Sequence, residues 1–213
     1  MRIFQDRSTH SWRTQKFCAI DVETTGLDLI NDEIISIGVV KIRDGRFKSD
    51  GNFYEEVSPT KSPSAQSIVI HGLRSSDLES AHPIEVVAPK LITFLEGSCL
   101  IAHAAWVERA FLRAPLKRQG FSFPKSVIDT AALARFLGLV EKNKAHEPSL
   151  EILARKLNLP AYSPHHALGD AMTTAAVFLA QAARIEKLIR QNENEALTLR
   201  RILDISENRR SEL

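Results

Sequence analysis

An α/β fold, a mixed central sheet flanked by helices, is predicted by three features of the chain. The apolar run FCAIDV (residues 17–22) ends in an acid and reads as a buried central strand. It is followed by IISIGVVKIRDG and RFKSDGNFYEEV, two strands joined at the turn pair Asp44-Gly45. Beyond these, helical periodicity alternates with one more short strand, and strands first with strand–helix alternation afterwards describe a layered sheet.

The remaining elements follow in order. A Pro/Ser-rich loop occupies 58–64, and residues 83–96 form a helix with Ile84, Val87, Leu91 and Leu95 on one face. Residues 99–102 make the fourth strand, and a helix starts at Ala105, which Pro115 is expected to kink or end. Helices are predicted over 131–137, 150–157 and 167 to about 188. Residues 17–180 then form the main domain. Residues 1–16 are a short leader with four basic residues and one Asp, flexible or packed at an edge. Residues 181–213 are a helical extension of mixed charge that either packs on the domain or docks a polymerase or another protein.

The bulk properties exclude several classes. With 44% hydrophobic and 25% charged residues, the 213-residue chain has the composition of a soluble globular protein. A net charge of +2 gives no overall basic field, so any polyanion must be met by local patches. Cys18 and Cys99 lie in apolar runs without zinc spacing, which points to reduced thiols and a cytoplasmic protein. No stretch has the roughly 20 apolar residues of a membrane helix, so no membrane partner is expected.

Two acidic clusters carry the chemistry. Asp21 and Glu23, at the end of the first strand, point to one face about 6–7 Å apart along the chain. Two carboxylates aimed at one place repel unless a cation lies between them, and all-oxygen ligands suit Mg²⁺ or Mn²⁺. Thr24, Thr25 and Gly26 follow, hydroxyls and a permissive backbone suited to a close-fitting substrate. The second cluster is SPHHALGDAMTT. His165 and Asp170 are five residues apart and would diverge by about 140° on one helix. A shared site requires His165 on a loop, with the helix starting near Ala167.

Read together, the clusters resemble the DEDDh (DnaQ-like) exonucleases, the group that includes the proofreading epsilon subunit of bacterial DNA polymerase III. The family's first motif, D-x-E-T-T-G, stands as Asp21 to Gly26, and its third, H-x4-D-A, as His165 to Ala171. The resemblance extends to IHGL (70–73) and IDTAALAR (128–135), and covers roughly 17–180. The second motif, H-N-x-x-[FY]-D-x-x-F-[LM], aligns with His103 to Leu112. There Ala104 replaces Asn, Val107 the aromatic and Glu108 the Asp, with Trp106 one position before the aromatic. No Asp occurs between 78 and 128, so Glu108 is the only candidate. It retains the charge on a longer arm and is either a metal ligand or a bystander.

The resemblance implies a ribonuclease H-like fold and hydrolysis of single-stranded DNA or RNA from 3′ ends, releasing nucleoside 5′-monophosphates. It implies two divalent ions, Mg²⁺ or Mn²⁺, stabilising the attacking and leaving oxygens. Asp21 would bridge both, Glu23 and Asp170 would complete the ligands of the first ion, and Glu108 would hold the second directly or through water. His165 would take the proton of the attacking water, a task suited to an imidazole of pKa about 6.5. Leu27 offers a wedge or stacking surface for the terminal base, against a core role. His103 ends a strand beside the site and is a candidate substrate contact. Arg109 opens a stripe with Arg113 and Lys117 that either meets phosphates or is a solvated face. His71 is expected to fix a turn with Gly72. The altered second motif leaves a competing reading, a nucleic-acid-binding or scaffold protein of the same fold with attenuated catalysis.

Overall fold

The computed structural model describes residues 10–141, 147–193 and 195–207, with only the backbone of 48–50, 192 and 193. Five strands form one sheet in the order β3-β2-β1-β4-β5. They are β1 (Phe17–Thr24), β2 (Ile34–Arg43), β3 (Arg46–Glu56), β4 (Cys99–Ala102) and β5 (Val127–Asp129). The first three pair antiparallel, and β4 and β5 add in parallel on the other side of β1. The helices are α1 (Ala65–His71), α2 (Ile84–Leu95), α3 (Trp106–Arg118), α4 (Thr130–Phe136), α5 (Leu150–Lys156), α6 (Ala167–Glu193) and α7 (Leu199–Glu207).

The central strand is buried on both faces, which is why it reads as a continuous apolar run rather than an alternation. Side chains still alternate. Cys18, Ile20 and Val22 join the core beneath α2 and α3, with Leu91, Leu112 and Leu116. Phe17 and Ala19 face α6, with Val40, Ile42, Phe178 and Ile185. Asp21 and Glu23 continue this second row by parity, so the strand's polar end lies on the face that α6 covers. Phe178 meets Phe17 at 4.9 Å and Trp12 edge-on at 6.0 Å between ring centroids, each pair contributing about 0.5–1.5 kcal/mol beyond its burial.

The chain's two flanking regions join this second layer. Trp12 is buried, its main-chain N–H donates to the Leu197 carbonyl at 3.1 Å, and Arg13 pairs with Glu186 of α6 at 2.7 Å. Ile202 and Ile205 of α7 are buried in the same cluster. The parts of the expected leader and extension that are described therefore share the core of residues 17–180. Residues 1–9 of that leader and 208–213 of that extension lie outside the described residues.

Three local expectations change. Helix α1 was not anticipated, because Val69 and Ile70 point outward and leave no apolar stripe; Ser64 caps its start and left-handed Gly72 its end. β5 was also missed, at three residues too short to show a pattern. Pro115 does not end α3, which continues through it to Arg118.

Gly38 sets how close α6 can come. It pairs with Asp21 in the β1–β2 ladder, and a methyl group there would overlap the Ala167–Leu168 peptide at the start of α6. The contact is backbone against backbone, with no flexible side chain to yield. Gly38→Ala is expected to lower stability by about 1–3 kcal/mol in urea denaturation; wild-type stability would show that α6 shifts freely.

Candidate active site

Ligand oxygens of Asp21, Glu23 and Asp170 lie within 4.8 Å of one another. β1 supplies the first two, and the first turn of α6 brings the third over Gly38. Gly169 permits a second close approach, since a side chain there would strike the Tyr162 and Ser163 carbonyls of the preceding loop. That loop holds His165 outside the helix, as the angular argument required. Its backbone is in the left-handed region at Ser163 (φ 36°) and His165 (φ 60°). The His165 N–H donates to Asp170 Oδ2 at 3.0 Å, and His166 stacks on Tyr54 at 4.6 Å.

The carboxylates strain against their surroundings. Burial first, then the charges of Glu108, Glu23 and Asp170, raise the Asp21 pKa well above the carboxylate range. Glu23 is pushed up to about 7 by burial and Asp170, and Asp170 to about 6 by burial despite the His165 N–H. Glu108, in the first turn of α3, is 2% exposed, and its Oε2 has no hydrogen-bond partner. Burial, with the charge of Asp129 adding to it, raises the Glu108 pKa well above normal. Glu108 is thus no solvated surface residue: it is buried and acts on Asp21, although it stands outside the tight three-carboxylate group. A buried carboxylate with one oxygen unpartnered among the described residues, beside three others, calls for a cation or a proton. The donor set therefore fits hard divalent ions bound through oxygen.

The segment leading to Glu108 is braced from behind. Asp129 Oδ1 accepts the Ala104 N–H at 3.1 Å and the Ala131 N–H at 2.8 Å. His103 has both ring nitrogens engaged, Nδ1 with Thr130 Oγ1 at 2.8 Å and Nε2 with the Pro148 carbonyl at 2.6 Å. Both ring nitrogens of His103 thus hold this loop. Arg109 likewise donates to the Lys125 carbonyl at 3.0 Å and lies over the Phe123 ring, so the structure ties the head of the basic stripe to its own domain.

Where a substrate hydroxyl grip was expected, the threonines serve the fold. Thr24 Oγ1 donates to the Gly26 carbonyl at 2.6 Å, while Thr25 Oγ1 donates to Asp32 and accepts the Glu33 N–H. Leu27 is not in the core: at 84% exposure it stands at a cavity of about 350 Å³ that Glu23, Thr24, Gly26, Lys61, Ile70 and His71 also line. His71 fixes its turn as expected, with Nδ1 accepting the Leu73 N–H at 3.0 Å. Lys61 and Ile70 escaped the sequence reading as cavity residues, Lys61 without any motif and Ile70 inside the IHGL resemblance.

The family model described as Exonuclease (RNase_T) matches residues 18–178. The chain belongs to this exonuclease family. The chain is 37% identical over 179 residues to "DNA polymerase III PolC-type" of Thermotoga petrophila, a match over 84% of this chain and 13% of that one. It is 32% identical over 213 residues to "3'-5' exonuclease DinG" of Bacillus subtilis, covering 93% and 22% of the two chains. The chain thus spans a small part of the length of these relatives. Its fold matches the nuclease domain of 3'hExo, a DEDDh family member bound to rAMP, with a TM-score of 0.66 and 20% identity over 90% of this chain and 98% of that one. The ribonuclease H-like architecture and the DEDDh resemblance both stand. Among the described residues, no helix is long and apolar enough to cross a membrane.

Two expectations follow. Without cations, folded Glu23 and Asp170 keep protons up to about pH 7 and 6, whereas in the unfolded chain they release them near pH 4. The folded state binds more protons in between, so their stabilising effect is complete below about pH 4 and lost as pH rises through 6–7. The thermal midpoint of the metal-free protein should fall from pH 5 to 8, and Mn²⁺ should raise it more at pH 8 than at pH 5.5. A midpoint indifferent to both contradicts the shared charge. Separately, Ala104 has a φ of 54° where the family carries Asn, a residue that tolerates this region. Ala104→Asn should raise unfolding free energy by up to about 1 kcal/mol in urea titration.

Proposed function

We propose that the chain is a metal-dependent 3′→5′ exonuclease that removes nucleoside 5′-monophosphates from single-stranded DNA or RNA ends. The observation that carries this reading is the convergence of Asp21, Glu23 and Asp170 within 4.8 Å, beside buried Glu108, whose Oε2 has no hydrogen-bond partner among the described residues. Asp21, Glu23, Asp170 and Glu108 would hold two divalent cations, Mg²⁺ or Mn²⁺. Bound there, such ions stabilise the attacking and leaving oxygens of an in-line phosphoryl displacement.

The chain's own groups supply the rest. His165, on an exposed loop beside Asp170, takes the proton of the attacking water. The cavity behind Leu27 is of a size for one terminal nucleotide, and Leu27 gives its base an apolar surface to stack on. Splaying that nucleotide from its neighbours requires a single-stranded end. Glu108 standing outside the three-carboxylate group favours the competing reading, a binding protein of attenuated activity.

Digestion of 5′-labelled single-stranded DNA and RNA with Mg²⁺ or Mn²⁺ decides between them. Wild type should give a 3′→5′ ladder, Asp21→Ala and Glu108→Ala none, and His165→Ala a rate lower by about 10²–10⁴-fold. A ladder that survives Glu108→Ala removes Glu108 from the metal set. Absence of any wild-type ladder would favour the binding-protein reading.

A further inference from the structure

The loop that carries His165 meets the sheet through an aromatic contact outside all three acidic motifs. The His166 ring lies flat on the Tyr54 ring, with 4.6 Å between centroids and 20° between planes. Tyr54 is half-buried on β3, and its hydroxyl donates to Glu56 Oε1 at 3.4 Å.

The register of the sheet explains why the ring stands there. Asp21 pairs with Gly38 and Gly38 pairs with Tyr54, so the three form one row across β1, β2 and β3 on the face that α6 covers. Gly38 presents no side chain, and the Ala167–Leu168 peptide settles against its backbone. The residue just before that peptide then falls over the next side chain in the row, which is Tyr54. The same residue opens α6, because the His166 carbonyl accepts the Asp170 N–H at 2.9 Å.

The hydrogen bonds that shape the loop run to α6 itself. The Tyr162 N–H donates to Thr173 Oγ1 at 2.9 Å, and the His165 N–H to Asp170 Oδ2 at 3.0 Å. These bonds would travel with the helix if it moved. The stack instead ties the loop and the helix start to the sheet, against the repulsion between Asp170 and the carboxylates of Asp21 and Glu23.

We propose that Tyr54 is a positioning residue for the active site. Stacked on His166, it holds the His165 loop and the first turn of α6, with Asp170, in place across the sheet from Asp21. This role rests on reading Asp21, Asp170 and His165 as the nuclease site. Tyr54 does not line the cavity behind Leu27, so its loss slows the reaction without weakening substrate binding.

The test uses the full chain with Mn²⁺ and a 5′-labelled single-stranded oligonucleotide. Tyr54→Ala should lower kcat by about ten- to a hundredfold with KM unchanged, and Tyr54→Phe, which keeps the ring, should recover most of the rate. His166→Ala should cost as much, and the double variant no more than either single one. His166 is exposed, so His166→Ala carries the same test if Tyr54→Ala does not fold. In the metal-free protein, proton NMR should show the His166 ring shifted upfield by the Tyr54 ring and back at ordinary positions in Tyr54→Ala. Tyr54→Ala as fast as wild type, or losses that add in the double variant, with Asp21→Ala inactive, overturns the Tyr54 role and leaves the nuclease reading. A Tyr54→Phe rate as low as that of Tyr54→Ala does the same, since the effect then belongs to the hydroxyl. No wild-type ladder at all overturns both.

Discussion

Like charges crowded into a dry corner are the constraint to which the rest of this fold answers. At an effective dielectric of about 20, two carboxylates about 4 Å apart repel by about 4 kcal/mol. Ligand oxygens of Asp21, Glu23 and Asp170 all lie within 4.8 Å of one another, with Glu108 buried alongside. Such a group persists only if rigid elements bring it together against its own repulsion. β1 does so by a two-residue period, and α6 by lying on bare backbone at Gly38. The core of Phe17, Phe178 and Trp12 supplies the apolar burial that offsets the charge.

Around this corner the supporting contacts serve more than one purpose. Asp129 caps α4 and holds the Ala104 N–H, and its own N–H is met by Ser206 of α7 at 2.8 Å. His103 links the end of β4 to both α4 and the start of α5. The site is therefore supported by side chains that never face it. Its precision depends on α4, α5 and α7 as much as on the strand and helix that carry the acids.

The sequence made the fold class, β1, the placement of His165 on a loop and the start of α6 legible, because each rests on periodicity or on a long apolar run. It also singled out Glu108 as a departure. It did not show that Glu108 is buried, since a charged residue in a helix start reads the same whether it faces solvent or a metal site. The hydroxyls of Thr24 and Thr25 and the ring of His103 were assigned to substrate by proximity in the chain. Their partners, Gly26, Asp32, Thr130 and Pro148, are found only in three dimensions.

The pairing of residues 10–12 with 197–199 has an architectural meaning. Main-chain hydrogen bonds run from Trp12 to Leu197 and from Leu199 to His10, so the segment ahead of the sheet is clasped to the start of α7. Loosening either segment would free the other and expose buried Trp12 and Ile202 to water.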